Sequence, residues 1–241
     1  MHFNIDWHDR LGSTNATMRE RFFAPGSIGH GLVIAAREQT SGRGRQDRKW
    51  LSAPNTNLCF SLFLATTAPL IQVPSLTMAA ALAVTDLLNS MGIRATPKWP
   101  NDVLVGDRKI CGILSERVEQ ASKSGIIVGI GLNVNMSCDE AAVIDRPATS
   151  ILIEKGQATD PSRLLAALLP QLEFWIDRWT GGGFSAIREV WTEKAGPIGK
   201  QLSVHDGDLR KVGTLAGFGD HGELLLETLS GLETIWSGDV T

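Results

Sequence analysis

At 241 residues the chain can bury a full core without disulfide or metal staples, and 43% hydrophobic with 20% charged residues is the balance of a globular protein. No run approaches the roughly 18 to 20 consecutive apolar residues of a membrane span, and the N-terminus lacks the basic and apolar regions of a secretory signal. The expectation is a soluble cytoplasmic protein with no membrane partner, and a net charge of −3 gives no global attraction to nucleic acid.

Phe3 to Trp7 alternates apolar and polar residues like a half-buried strand, and Ser13 or Thr14 then caps a helix running from Ala16 to Phe23 before Pro25-Gly26. Leu32 to Ala36 is a continuous apolar strand that feeds the stretch Arg37 to Trp50, and Leu58 to Leu64 is the next strand. Ser75 to Met91 carries apolar residues at helical spacing and stops at Gly92. A hairpin follows, Ala95 to Val105 and Lys109 to Glu116 around Gly106-Asp107-Arg108. Gly125 to Val134 reads as a strand whose Gly129 and Gly131 imply a bulge or a close approach by a ligand.

Residues 135–160 read as polar and irregular. Asp160-Pro161 opens a helix with one apolar face, which Pro170 should kink, and Gly181 to Gly183 should end it before a short helix from Phe184 to Lys194. Beyond Gly196-Pro197 the chain turns to short strands, Gln201–His205, Arg210–Phe218, Glu223–Glu227 and Glu233–Trp236, as in a small β barrel. The letters Gly217-Phe-Gly-Asp-His-Gly222 match a dinucleotide fingerprint, but too little chain follows for the required βαβ unit, so they read as a hairpin turn. Cys59, Cys111 and Cys138 sit among apolar neighbours without Cys-x-x-Cys spacing and are expected as reduced core thiols.

The chemistry concentrates between Arg37 and Trp50. Gly42 and Gly44 let the backbone turn sharply beside Arg43, Arg45, Arg48 and Lys49, a composition suited to closing over an anion, although short charge runs are often only solvated. Lys109 opens an otherwise apolar strand, where its ammonium can neutralise a carboxylate and a phosphate brought together; the alternative is a strand-edge lysine facing water. Gly112 then leaves room for a ligand ring. Asn101 and Asp102 supply acceptors for a magnesium-bound phosphate or an incoming amine, or form a plain turn after Pro100. No Walker loop, zincin helix or nucleophile elbow is present.

Taken together, Ser13-Thr14-Asn15, Gln39, Gly42-Arg43-Gly44-Arg45-x-x-Arg48-x-Trp50, Lys98-Trp99-Pro100-Asn101-Asp102, Lys109-x-x-Gly112-Ile113-Leu114 and Gly129-x-Gly131-x-Asn133 resemble the biotin protein ligases in order and spacing, over nearly the whole chain. The resemblance implies an α+β fold, a class II synthetase-like mixed sheet flanked by helices in a catalytic domain of residues 1–194, with an SH3-like barrel in 195–241. It implies the substrates biotin and ATP with Mg2+, formation of biotinyl-5′-AMP, and transfer of biotin to a lysine of a carboxylase's biotin carboxyl carrier domain.

By that resemblance Ser13, Thr14, Asn15 and Gln39 contact biotin, and Gly42, Gly44, Gly112, Ile113, Gly129 and Gly131 line its pocket. Arg43 and Arg45 order over the adenylate. Arg48, Trp50, Asn101 and Asn133 belong to the ATP site, with Arg48 on the phosphates and Trp50 near the adenine. Lys109 contacts the biotin carboxylate and stabilises the charge that develops during adenylation, Arg43 and Arg45 also touch biotin, and Asp102 meets the acceptor lysine. Asp47 departs from the family pattern, which has glycine there. Only twelve residues precede Ser13, so a DNA-binding domain and DNA as partner are not expected; monomer and homodimer remain open. The rival readings are a lipoate or octanoate ligase of the same fold and a nucleic-acid module with Trp50 stacked on a base.

Overall fold

A computed structural model describing residues 1–241 except 27, 47, 122 and 208 assembles the expected strands into one seven-stranded sheet. Its members are β1 (Asn4–His8), β2 (Leu32–Ala36), β5 (Asn57–Ala65), β6 (Ala95–Lys98), β7 (Asp102–Val105), β8 (Arg108–Gln120) and β9 (Lys123–Asn133), in the order β1-β2-β5-β9-β8-β7-β6. The sheet is mixed: β1 runs parallel to β2 and every other neighbouring pair is antiparallel. Within the basic stretch, Gly42–Arg43 (β3) and Lys49–Trp50 (β4) pair as a small antiparallel hairpin.

Alternation along the central strands sends the two sets of side chains to different helices. Leu58, Phe60, Leu62 and Leu64 meet α2 (Val73–Ser90) and α5 (Pro161–Gly182), forming the larger core. Ile34, Phe63, Val118 and Ile127 face the other way and are capped by Met18 and Phe22 of α1 (Thr14–Phe23). Ser13 is the N-cap of α1, accepting from the Ala16 amide. The segment Leu70–Ser90 is long and apolar enough to cross a membrane, yet 72% of its hydrophobic window is buried under α5 and the sheet. The deep indoles find partners: Trp175 Nε1 donates to Asp86 Oδ2 and Trp179 Nε1 to Ser75 Oγ, each at 2.9 Å.

Several expectations are corrected. Residues 135–160 hold two short helices, α3 (Cys138–Ala142) and α4 (Ile151–Lys155). Ser137 and Glu140 close a capping box on the first, and Ser150 accepts from the Ile153 amide on the second, so local capping builds what apolar periodicity could not signal over so few residues. Cys138 lies exposed at the start of α3, a surface helix, while Cys59 and Cys111 are buried as expected. Helix α5 continues through the exposed Pro170 and includes Gly181 and Gly182; the chain breaks at Gly183, where φ is 61°. After it comes α6 (Arg188–Ala195).

The C-terminal strands β10 (Gln201–Asp206), β11 (Leu209–Phe218), β12 (Leu224–Thr228), β13 (Gly231–Ile235) and the unanticipated β14 (Asp239–Val240) form one antiparallel sheet of order β13-β12-β11-β10-β14. Gly217 to Gly222 does connect β11 to β12, with a bulge before Gly217. This sheet is bound to the rest of the chain: Trp99 Nε1 donates to the Gly222 carbonyl at 2.9 Å, and the Trp191 ring meets Phe218 edge-on at 6.1 Å.

Candidate functional site

On the face that α1 covers, a patch of small residues lies in the middle of the sheet between Ile34 and Leu114. Cys59, Ser61, Gly129, Gly131 and Gly112 lie side by side across β5, β9 and β8, because Cys59 pairs with Gly131, Ser61 with Gly129, and Gly131 in turn with Gly112. The body of α1 packs on Phe63 and Ile127, only its first turn, Thr14 and Asn15, reaches the floor at Ser61 and Gly129, and a cavity of about 530 Å³ opens above the rest. No ladder bulge accompanies Gly129 or Gly131; they are glycines because other side chains press on them. A methyl group on Gly129 would stand 2.2 Å from Asn15 Oδ1, and one on Gly131 2.5 Å from Trp50 Cε2.

At one end of the cavity the polar residues are tied together. The Thr14 amide donates to Gln39 Oε1 at 2.7 Å, and Ser61 Oγ lies 2.8 Å from Thr14 Oγ1 and 2.6 Å from Asn15 Oδ1. Ser13, Thr14 and Asn15 are buried here, so α1 delivers its cap and first turn straight into the site.

At the other end stand cations. The register between β7 and β8 shifts by one residue at Val103/Leu104, which buries Ile110 and Cys111 in the same core and turns Lys109 onto the floor side with Gly112. Lys109 Nζ lies 2.6 Å from Asp102 Oδ1, across the strand pair, and 5.7 Å from the centre of the Trp50 ring. The room beside Gly112 is filled by Lys109 and Trp50, whose Nζ and Cζ3 would sit 2.9 and 3.1 Å from an added methyl. Arg45 Nη1 donates to Asn101 Oδ1 at 3.0 Å, and Asn101 Nδ2 donates to the Ile113 carbonyl at 2.9 Å. Burial lowers the Arg45 pKa, against the pull of Asp239 and Asp102. In the floor itself, burial pushes the Cys59 thiol up to about 11, so it is a neutral wall and no nucleophile.

Asp239, from β14, reaches back into the cavity. Its carboxylate takes both arms of the Arg48 fork, one at 3.0 Å, and Arg146 Nη2 at 3.2 Å. The Arg48 hydrogen bond is the largest cause holding the Asp239 carboxyl down, from 3.8 to about 2, and the same bond raises Arg48. A depressed carboxylate stabilises above its unfolded value and loses that contribution as pH falls through the folded one. The melting-temperature gap between wild type and Asp239→Ala is therefore expected in full at pH 7 and should close between about pH 4 and pH 2; a gap that widens on acidification would refute the ion pair.

Ser13, Thr14, Asn15, Gln39, Arg43, Gly44, Arg45, Arg48, Trp50, Asn101, Asp102, Lys109, Gly112, Ile113, Gly129, Gly131 and Asn133 all line the one cavity. Gly42 does not: it is buried in the β3–β4 hairpin, where a methyl would lie 2.6 Å from the Trp50 carbonyl oxygen. Asn133 acts on the frame, donating to the Thr149 carbonyl at 3.0 Å. Asp47 lies outside the described residues. Asn101 and Asp102 do not make a metal cage: the amide oxygen is given to Arg45 and the carboxylate to Lys109, and among the described residues no cluster of three metal-ligating side chains occurs. Sequence reasoning gave no site role to Asp239, Arg146 or the rest of the wall from Val143 to Ala148, which reach the cavity by tertiary folding alone.

The family described as Biotin/lipoate A/B protein ligase matches residues 7–133. A biotin–[acetyl-CoA-carboxylase] ligase of Paracoccus denitrificans is 34% identical, the alignment covering 96% of this chain and 97% of that protein. The bifunctional ligase/repressor BirA of Bacillus subtilis is 33% identical over 98% of this chain and 73% of its own length. Among solved structures, the biotin protein ligase of Aquifex aeolicus in complex with biotin and ATP superposes with a TM-score of 0.80 at 28% identity, covering 99% of this chain and 97% of that one. With more than half of the chain inside the family match and a relative of that identity aligned along almost its whole length, the protein belongs to the biotin/lipoate A/B protein ligase family, among its biotin protein ligases.

Proposed function

We propose that the chain activates biotin with ATP and transfers it to a protein lysine. The observation that carries this reading is a single cavity with a hydrogen-bonding end at Thr14, Asn15 and Gln39 and a cationic end at Arg45, Arg48 and Lys109. The first end suits a compact polar ring; the second suits a carboxylate beside phosphates.

In the first step a biotin carboxylate oxygen attacks the α-phosphorus of ATP, the bond to the β-phosphate oxygen breaks, and pyrophosphate leaves. Lys109, on a rigid strand, offsets the negative charge that gathers between the two anions. In the second step a lysine amine of a carrier domain attacks the acyl carbon, AMP departs, and the amine proton is lost, with Asp102 placed to meet that amine. Magnesium enters with the nucleotide as counter-ion of its phosphates. The acceptor is the biotin carboxyl carrier domain of a carboxylase, and the reaction is cytoplasmic. Residues 1–194 hold the catalytic unit and 195–241 a second unit that lends Asp239 to the site.

Biotin-dependent exchange of labelled pyrophosphate into ATP tests the reading; folded protein that exchanges with lipoate and not with biotin would overturn it. Arg43, exposed at the cavity rim on β3, serves to retain the adenylate. Arg43→Ala is expected to release biotinyl-AMP into solution several-fold faster while the fold and the exchange reaction persist, as read by single-turnover trapping. Unchanged retention would remove Arg43 from that role.

A further inference from the structure

One carboxylate touches the polar end of the site from outside the cavity. We infer that Glu116, on β8, is a positioning residue that sets which atoms at that end accept and which donate, an inference that rests on biotin being the ligand there.

A carboxylate restricts what its hydrogen-bond partner can be. Ionised, it only accepts, so the Asn15 atom 2.7 Å from Glu116 Oε2 must be the amide nitrogen, which also donates to the Leu114 carbonyl at 3.3 Å. Asn15 reaches this partner through the space left by Gly129. Its amide oxygen is thereby turned towards Ser61 Oγ at 2.6 Å, and the single Ser61 proton goes there. That proton cannot also serve Thr14 Oγ1, 2.8 Å away.

Thr14 has two takers for its own proton, Ser61 Oγ at 2.8 Å and Gln39 Oε1 at 3.1 Å. Either choice keeps the proton inside the network, so the Thr14 hydroxyl turns lone pairs to the cavity. Gln39 Oε1 is committed to the Thr14 amide, which leaves the Gln39 amide nitrogen as a donor. An acceptor beside a donor complements a ring N–H beside a ring carbonyl, the pattern of a cyclic urea. Without Glu116 the Asn15 amide is free to turn its nitrogen to Ser61; the Ser61 proton then swings to Thr14 and occupies the acceptor.

The test is a chemical double-mutant cycle on the full chain, read by titration calorimetry. The ligands are biotin and its two cyclic carbamate analogues, each with one ureido N–H replaced by oxygen. Glu116→Ala is expected to weaken biotin about tenfold, one hydrogen-bonded polarity lost, while the analogue lacking the Thr14-facing N–H is nearly unaffected. Glu116→Gln keeps an acceptor for Asn15 and should stay within about threefold of wild type. Melting curves confirm that both variants are folded. Biotin binding by Glu116→Ala as tight as wild type, or equal losses for biotin and both analogues, overturns the inference. Because binding is measured without turnover, wild type that binds biotin but fails to exchange pyrophosphate sinks the activity reading alone.

Discussion

Lys109→Ala is expected to slow adenylation by about 10²- to 10³-fold, the usual cost of removing a preorganised group that faces developing charge, while leaving the fold intact. Three features make the effect catalytic and not merely a matter of binding. The strand irregularity at Val103/Leu104 fixes the Lys109 backbone, so the ammonium costs little reorganisation at the moment of reaction. Asp102 at 2.6 Å holds it in place in the free protein, and its side chain is only 32% exposed, so its charge is poorly screened. The Trp50 ring closes it off from the side. Removing the ammonium also strands the Asp102 carboxylate, so Lys109→Arg, which keeps the charge but not the geometry, is the informative control and should recover only part of the rate. Rapid-quench formation of biotinyl-AMP at saturating substrates checks this; a near-normal rate in Lys109→Ala would remove the lysine from the chemistry.

How much of this was legible beforehand follows from what kind of signal each part carries. The strands β2, β5 and β9 and the helix α2 announce themselves because long apolar runs and 3.6-residue spacing reflect burial directly. Ser13 to Asn15, Arg45 and Lys109 were found because glycine, charge and motif spacing mark them, and the fold brings them to one cavity. Gly129 and Gly131 signal a bulge or a ligand's close approach in the sequence, whereas the groups that press on them are Asn15 and Trp50, fixed by a sheet register that no local pattern encodes. Asp239 and Arg146 were invisible for the same reason, since their ion pairs join residues 191 and 93 positions apart. Glu116 sits in a strand as one more half-buried charge, and only the distance to Asn15 gives it a part.

Two of the floor glycines, Gly129 and Gly131, make a sharper prediction than any charge in the loop, because they should separate the two substrates. Gly129→Ala places a methyl 2.2 Å from Asn15 Oδ1 and 3.0 Å from its Nδ2, and Asn15 must leave. Its bonds to Ser61 and Glu116 go with it, so biotin loses both a contact with Asn15 and the ordered acceptor at Thr14; at about 1 to 1.5 kcal/mol for each ligand hydrogen bond lost, biotin affinity should fall roughly 30- to 150-fold. Gly131→Ala instead drives a methyl against Trp50 Cε2 at 2.5 Å, so the indole is displaced and Asn15 is not. The resemblance to biotin protein ligases implies that Trp50 stands near the adenine, and on that reading the loss should appear in the KM for ATP. Neither glycine has a positive φ, so alanine is compatible with both backbones, and the ladder on either side of β9 survives. Measuring KM for biotin and for ATP in both variants decides the matter: a crossed pattern supports two adjacent subsites on one floor, whereas the same substrate failing in both would mean that Asn15 and Trp50 serve a single ligand.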